Sequence, residues 1–138
     1  MASNTVKATF NSGMNFTADL NGHKIEIDKE KDKGGNNLGT RPKALMLASL
    51  AGCTGFDVVN ILNKMRVNFS DLAITVDAHL TETEPALYDS VVVNYTIKVK
   101  KEDRPKVEKA VKLSKEIYCG VSKMFEKFAE VSSNINFL

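Results

Sequence analysis

Apolar and polar positions alternate along the first 28 residues, take up a helical rhythm near residue 42, and alternate again from residue 69. "TVKATF", "MNFTADL" and "HKIEID" each repeat with a period near two, and the turns "NSG" and "NG" separate them. That is the pattern of an antiparallel three-stranded meander. Asn21-Gly22 is the stronger turn signal, because both residues tolerate positive φ. "KEKDKGGNNLGTR", residues 29–41, then breaks the alternation with charge and glycine. A loop this long inside a compact domain is uncommon and is often functional or mobile. It carries no GKS or GKT, so a phosphate-binding P-loop is unsupported.

A helix is expected from about Lys43 to Met65, opened by Pro42, whose fixed φ suits a first turn. It is apolar on nearly every face until Asp57, the pattern of a central core helix. "FSDLAITVDAHLTE" and "LYDSVVVNYTIKVK" alternate on either side of "TETEPA" and predict a long hairpin or neighbouring strands. "EDRPKVEKAVKLSKEIY" follows, with Val107, Ala110, Val111 and Tyr118 at helical spacing. Asp103 is its expected N-cap and Pro105 lies in its first turn. "VSKMFEKF" repeats the helical period at Val121, Met124, Phe125 and Phe128, and "NINFL" reads as a closing strand. The order β-β-β-α-β-β-α-α-β is an α+β architecture. It is expected as one domain over 1–138, with a meander at 1–28, a loop at 29–41, a core helix at 42–66 and a ββααβ segment at 69–138.

Composition narrows the function classes. The 138 residues are 43% apolar and 26% charged, as in an ordinary soluble globular protein. The net charge of +2, from 19 basic and 17 acidic residues, argues against a strongly charged partner such as nucleic acid. Lysines crowd residues 98–115, but Glu102, Asp103, Glu108 and Glu116 interleave with them, as on a solvated helix face. "MASNTVKATF" has no apolar signal segment. The longest uncharged run, Ala44 to Phe56, is shorter than the about 20 residues that span a bilayer, so no membrane partner is expected. The cytoplasm is the expected compartment, where thiols stay reduced. Two cysteines there are either inert core residues or a redox pair.

Cys53 lies among Ala48, Ser49, Ala51, Gly52, Thr54 and Gly55. Alone, a buried cysteine behaves as a small hydrophobe, yet small neighbours also let another group approach the backbone closely. Cys119, in "YCGVSKMF", falls where one helix ends and another begins. Unpaired N–H groups and the positive dipole end favour a thiolate there, and a cysteine that only punctuates the turn is the alternative. Arg41 could stabilise a thiolate or bind an anionic substrate end, or be a surface arginine. Asp57, one turn beyond Cys53, would raise a neighbouring thiol's pKa and reads as structural. His23 and His79 have no ligand-spaced partner, so no metal site is expected. Ser49 and Ser122 lack hydrolase motifs, and Met46, Met65 and Met124 read as core filler.

"RPKALMLASLAGCTGFDVVNILNKMRV" resembles the core-helix motif of the OsmC/Ohr family, and "LSKEIYCGVSKMF" resembles its second-cysteine motif. The meander and the two strands between the motifs match the family layout, so the resemblance covers nearly the whole chain. It implies a thiol-dependent peroxidase that reduces organic hydroperoxides in oxidative or osmotic stress defence, without a cofactor or metal. Cys53 would be the peroxidatic cysteine, oxidised to a sulfenic acid, and Cys119 the resolving cysteine that closes an intramolecular disulfide. A dithiol reductant, lipoyl-type in the best-known members, would restore both thiols. The resemblance also implies an intertwined homodimer with each active site at the interface, where an apolar pocket takes a lipid-like peroxide. Hydroperoxide-active members carry a helix Glu that orients an Arg from the N-terminal strands. The matching positions here are Lys43 and Ala44, and the first arginine is Arg41. The chain therefore resembles the branch lacking that Glu, with Arg41 as the candidate cation. The other reading is a non-catalytic binding module that holds a small hydrophobic ligand at the dimer interface.

Overall fold

The computed structural model describes residues 2–138. The chain forms two compact units, one ending at Met46 and the other spanning Leu47–Leu138.

In the first unit, β1 (Lys7–Ser12), β2 (Asn15–Leu20) and β3 (His23–Ile27) form the expected antiparallel meander in the order β1-β2-β3. Asn21 and Gly22 both take positive φ, 53° and 82°, and the Gly22 N–H donates to Asp19 Oδ1 at 3.2 Å. The alternation does not give this sheet a buried apolar face. Val6, Phe10 and Phe16 stay exposed in the single chain, with the Phe10 and Phe16 rings 5.4 Å apart.

The glycine-rich loop is built around a carboxylate. Asp28 is buried and accepts N–H bonds from Lys29 (2.7 Å), Leu38 (3.1 Å) and Asn36 (3.3 Å). The Leu38 N–H does most to hold this carboxyl below the usual carboxylate range; burial opposes it, and the Arg41 charge helps. Two glycines are required by contact. A Cβ on Gly35 would lie 2.1 Å from the Lys29 carbonyl oxygen, and one on Gly39 would lie 2.2 Å from that of Glu26. A loop with this many internal bonds is a folded element, including a short 3₁₀ turn at Lys31–Lys33.

The helix α1 (Pro42–Lys64) starts in the first unit and continues through the second. There, β4 (Phe69–Leu80) and β5 (Tyr88–Val99) form the expected hairpin, and β6 (Glu130–Phe137) joins β5 in parallel, giving the order β4-β5-β6. The crossover carries α2 (Arg104–Leu113) and α3 (Gly120–Phe125). Every second residue of β5, Val91, Val93, Tyr95 and Ile97, is buried. They share one core with Leu50, Val58 and Leu62 of α1 and Val107, Ala110 and Val111 of α2. Each fully buried aliphatic side chain contributes about 1.5–3 kcal/mol.

Several sequence expectations are corrected or refined. First, α1 is not buried all round: its buried stripe is Leu50, Thr54, Val58 and Leu62 at strict i, i+4 spacing, while Phe56 is 80% exposed. By length and composition α1 could cross a membrane; here its stripe packs into the protein core. Second, Met46 and Met124 are exposed, so of the three methionines only Met65 packs against the core. Third, Asp103 stands at the N-cap position of α2 as expected, but its side chain makes no cap bond. It ends a 3₁₀ turn (Lys101–Asp103), and its carboxylate faces Lys106 at 3.6 Å instead. Fourth, the α-helix stops at Leu113 and widens into a π-helical turn, Ser114–Tyr118, and β6 begins earlier than "NINFL", at Glu130. Helix α1 closes without glycine: Arg66 takes φ 58°, and the Val67 N–H reaches back to the Leu62 carbonyl at 3.0 Å.

Candidate thiol site

The π-helical turn does the positioning. Widened turns of this kind recur at functional sites, because one extra residue re-aims the side chains that follow. The Cys119 N–H donates to the Ser114 carbonyl at 2.8 Å, closing the turn, and Cys119 leaves the helix in an extended conformation. Its Sγ accepts the Ser122 N–H at 3.2 Å, so the same residue ends one helix and caps α3. The outcome is a thiol pointed at α1, where the Cys119 Sγ–H donates to Cys53 Sγ at 2.7 Å. Two cysteines 66 positions apart are thus in direct contact, and both are free.

Ser114 ties the turn to α1 a second time. It is fully buried, and its hydroxyl donates to Asp57 Oδ2 at 2.9 Å. Asp57 therefore has the structural part expected of it, with Ser114 as its partner. The two sulfurs and an Asp57 oxygen all lie within 4.8 Å of one another.

Burial divides the labour between the thiols. Cys119 is fully buried, whereas Cys53 is half-buried. Burial, followed by the hydrogen bond to Cys53, pushes the Cys119 thiol up to about 12. This corrects the helix-terminus expectation. α3 has six residues and offers the sulfur one N–H, whose lowering effect is smaller than the cost of placing a charge in the core. At neutral pH Cys119 is a protonated donor aimed at Cys53.

Two neighbours escaped the sequence analysis. Tyr95 is buried on β5; burial raises its phenol's pKa, a hydrogen bond with Thr54 lowers it, and charge on Cys119, Asp57 or Cys53 would raise it further. Alternation along β5 turned Tyr95 inward, but nothing local showed what it would face. The other is Glu30, which takes the Arg41 Nε–H at 2.6 Å. Arg41 Nη1 donates to the Gly39 carbonyl and Nη2 to Asn37 Oδ1, both at 2.8 Å. That guanidinium bond holds the Glu30 carboxyl below its ordinary range. His79 pairs with Asp89 on the exposed hairpin at 2.8 Å, and His23 lies on the exposed end of β3.

One of the small residues around Cys53 now has a reason. A Cβ on Gly55 would meet Ile74 Cδ1 at 3.1 Å, so Gly55 lets α1 lie close on β4, while nothing stands within 4 Å of a Cβ on Gly52. Ala51, Gly52, Phe56, Val59, Leu72 and Ile74 line an open groove of about 750 Å³. A smaller cavity of about 330 Å³ reaches Asp57, with Asn60, Lys64 and Tyr118 among its walls.

The family profile described as OsmC-like protein matches residues 34–134. Protein YhfA of Escherichia coli K12 is 29% identical over 121 residues, 87% of each chain. Among solved structures, an OsmC-like protein from Mycoplasma pneumoniae superposes with a TM-score of 0.83 at 13% identity, covering 99% of this chain and 98% of that one. An organic hydroperoxide resistance protein OsmC from Legionella pneumophila superposes with a TM-score of 0.69 at 18% identity, again covering 99% and 98%.

Proposed function

Because the chain belongs to the OsmC-like protein family, which includes Cys-based organic hydroperoxide reductases, we propose that it is a thiol peroxidase reducing organic hydroperoxides through Cys53 and Cys119. The observation that carries the reading is the contact between a half-buried sulfur and a fully buried one at 2.7 Å. The Cys53 thiolate attacks the terminal peroxide oxygen and breaks the O–O bond, giving Cys53–SOH and an alkoxide that takes a proton to leave as the alcohol. Cys119 then displaces water from the sulfenic acid, and its own proton leaves with that water as the disulfide closes. An external dithiol, of the lipoyl type, returns two electrons and two protons to restore the pair.

A peroxidatic thiolate needs a nearby cation. Arg41, its planar fork fixed by Glu30, Gly39 and Asn37, is the proposed source. The assembly is proposed to be a homodimer. A lone chain leaves Phe56 80% exposed beside the apolar groove on α1 and β4, the kind of continuous apolar surface that marks an interaction site. The cytoplasm, with its reduced dithiol pool, is the proposed compartment, and stress defence the proposed role.

The test is steady-state consumption of cumene hydroperoxide with dihydrolipoamide as reductant. Wild-type turnover, abolished in Cys53→Ser and reduced in kcat/KM in Arg41→Ala, is the expected result. Equal turnover in wild type and Cys53→Ser would refute the reading.

A further inference from the structure

The geometry points to a Zn²⁺ site made by Cys53, Asp57 and Cys119, available only when both thiols are reduced. The inference is separate from peroxide chemistry and holds whether or not the pair turns over.

Three donor atoms of suitable kind converge here from two elements: two sulfurs and a carboxylate oxygen, all within 4.8 Å of one another. In a tetrahedral zinc site, with Zn–S about 2.3 Å and Zn–O about 2.0–2.2 Å, neighbouring ligand atoms are separated by roughly 3.3–3.8 Å. An outer limit of 4.8 Å on the three separations leaves room for that spacing. The two sulfurs, at 2.7 Å, need to part by roughly 1 Å to admit the ion.

Thiolates select soft or borderline metals, and a Cys₂–carboxylate set suits zinc over magnesium or calcium. Ligation removes the thiol proton from each cysteine to solvent. The carboxylate is already oriented, because Ser114 donates to Asp57 Oδ2 at 2.9 Å. An outer hydrogen bond of this kind fixes a metal-binding carboxylate.

Access and the fourth position have a place too. Asp57 opens on the cavity walled by Asn60, Lys64 and Tyr118. Three protein ligands plus water from such a cavity is the open arrangement of a zinc centre that exchanges its fourth ligand. A zinc ion there would occupy the Cys53 sulfur and exclude peroxide, and disulfide formation would remove two of the three ligands and release it. The site would therefore couple thiol oxidation to metal release.

The experiment is anaerobic titration of the reduced protein with Co²⁺, read by its thiolate-to-cobalt charge-transfer absorption, followed by Zn²⁺ displacement against a chromophoric chelator. The expected result is one equivalent bound by the reduced wild type and none by its disulfide form. Cys53→Ser should lose about half the charge-transfer intensity. Asp57→Asn, which keeps the shape and the acceptor for Ser114, should keep that intensity and weaken Zn²⁺ binding at least about tenfold. Equal binding by reduced and oxidised wild type would overturn the inference, and that comparison requires no variant to fold. Unchanged affinity in a folded Asp57→Asn would overturn the three-ligand site.

Discussion

Raising the pH tests the state of Cys119 directly. An unfolded chain releases this thiol proton near 9.0, whereas the folded chain keeps it until about 12, chiefly because the sulfur is buried and second because it donates to Cys53. Between those values the folded state holds one proton more than the unfolded state, so stability falls as pH rises. The slope is about 1.4 kcal/mol per pH unit. The contribution is fully present below pH 9, and about 3 kcal/mol of it is gone two units higher. The assay is urea unfolding of the protein, kept reduced with a phosphine, at several pH values from about 8 to 11. Wild type is compared with Cys119→Ser, whose hydroxyl does not titrate in this range. The buried Tyr95 phenol, raised by burial and further by charge on Cys119, is present in both proteins, so the difference in slope reports Cys119 together with its effect on Tyr95. The serine variant should be offset in stability but flatter. Parallel curves would refute the argument that burial outweighs the helix terminus at this sulfur.

Three further outcomes follow from other contacts. A double-mutant cycle on Ser114→Ala and Asp57→Ala, measured by denaturant unfolding, should give a coupling of about 1–2 kcal/mol; a hydrogen bond to a charged group is worth roughly 1.5–3 kcal/mol, and the half-buried carboxylate recovers some water. Asp28 has a lowered pKa, so its stabilisation is present above the ordinary carboxylate range and lost as pH falls through the folded value. Asp28→Asn should therefore flatten the acid limb of a Tm-against-pH curve, and an unchanged limb would contradict the account of the loop. Phe56→Asp should convert the proposed dimer to monomers in sedimentation velocity, and an unchanged sedimentation coefficient would place the interface elsewhere.

How much of this was legible depended on whether the information was local. The meander, its Asn21-Gly22 turn and the β4–β5 hairpin follow from period and turn chemistry, and the structure has them where the alternation put them. The helical rhythm of α1 was equally clear, but a greasy helix does not say which apolar face meets its own sheet. Leu50 and Phe56 read alike in the sequence, and one is fully buried while the other is 80% exposed. The π-helical turn was invisible because apolar spacing ran smoothly through to Tyr118. What widens the helix is tertiary: Ser114 reaches Asp57, and Cys119 faces Cys53. For the same reason, of the two readings of Cys119, the thiolate favoured by the helix terminus does not hold. The helix end is a local feature of the sequence, and the burial that outweighs it is not. Both cysteines stood out from the motifs, but their contact across 66 positions needed the fold. Arg41 was singled out without Glu30, since an ion pair across a loop leaves no periodic trace.

The central claim is that Cys53 and Cys119 form a working dithiol. Fully reduced protein should receive one equivalent of cumene hydroperoxide, with no other reductant, and be read promptly by intact mass. The account predicts loss of two hydrogens per chain in wild type. Cys119→Ser should instead gain a single oxygen on Cys53, trapped by a sulfenic-acid reagent. An unchanged wild-type mass, or slow scattered oxygen addition at methionines, would contradict it.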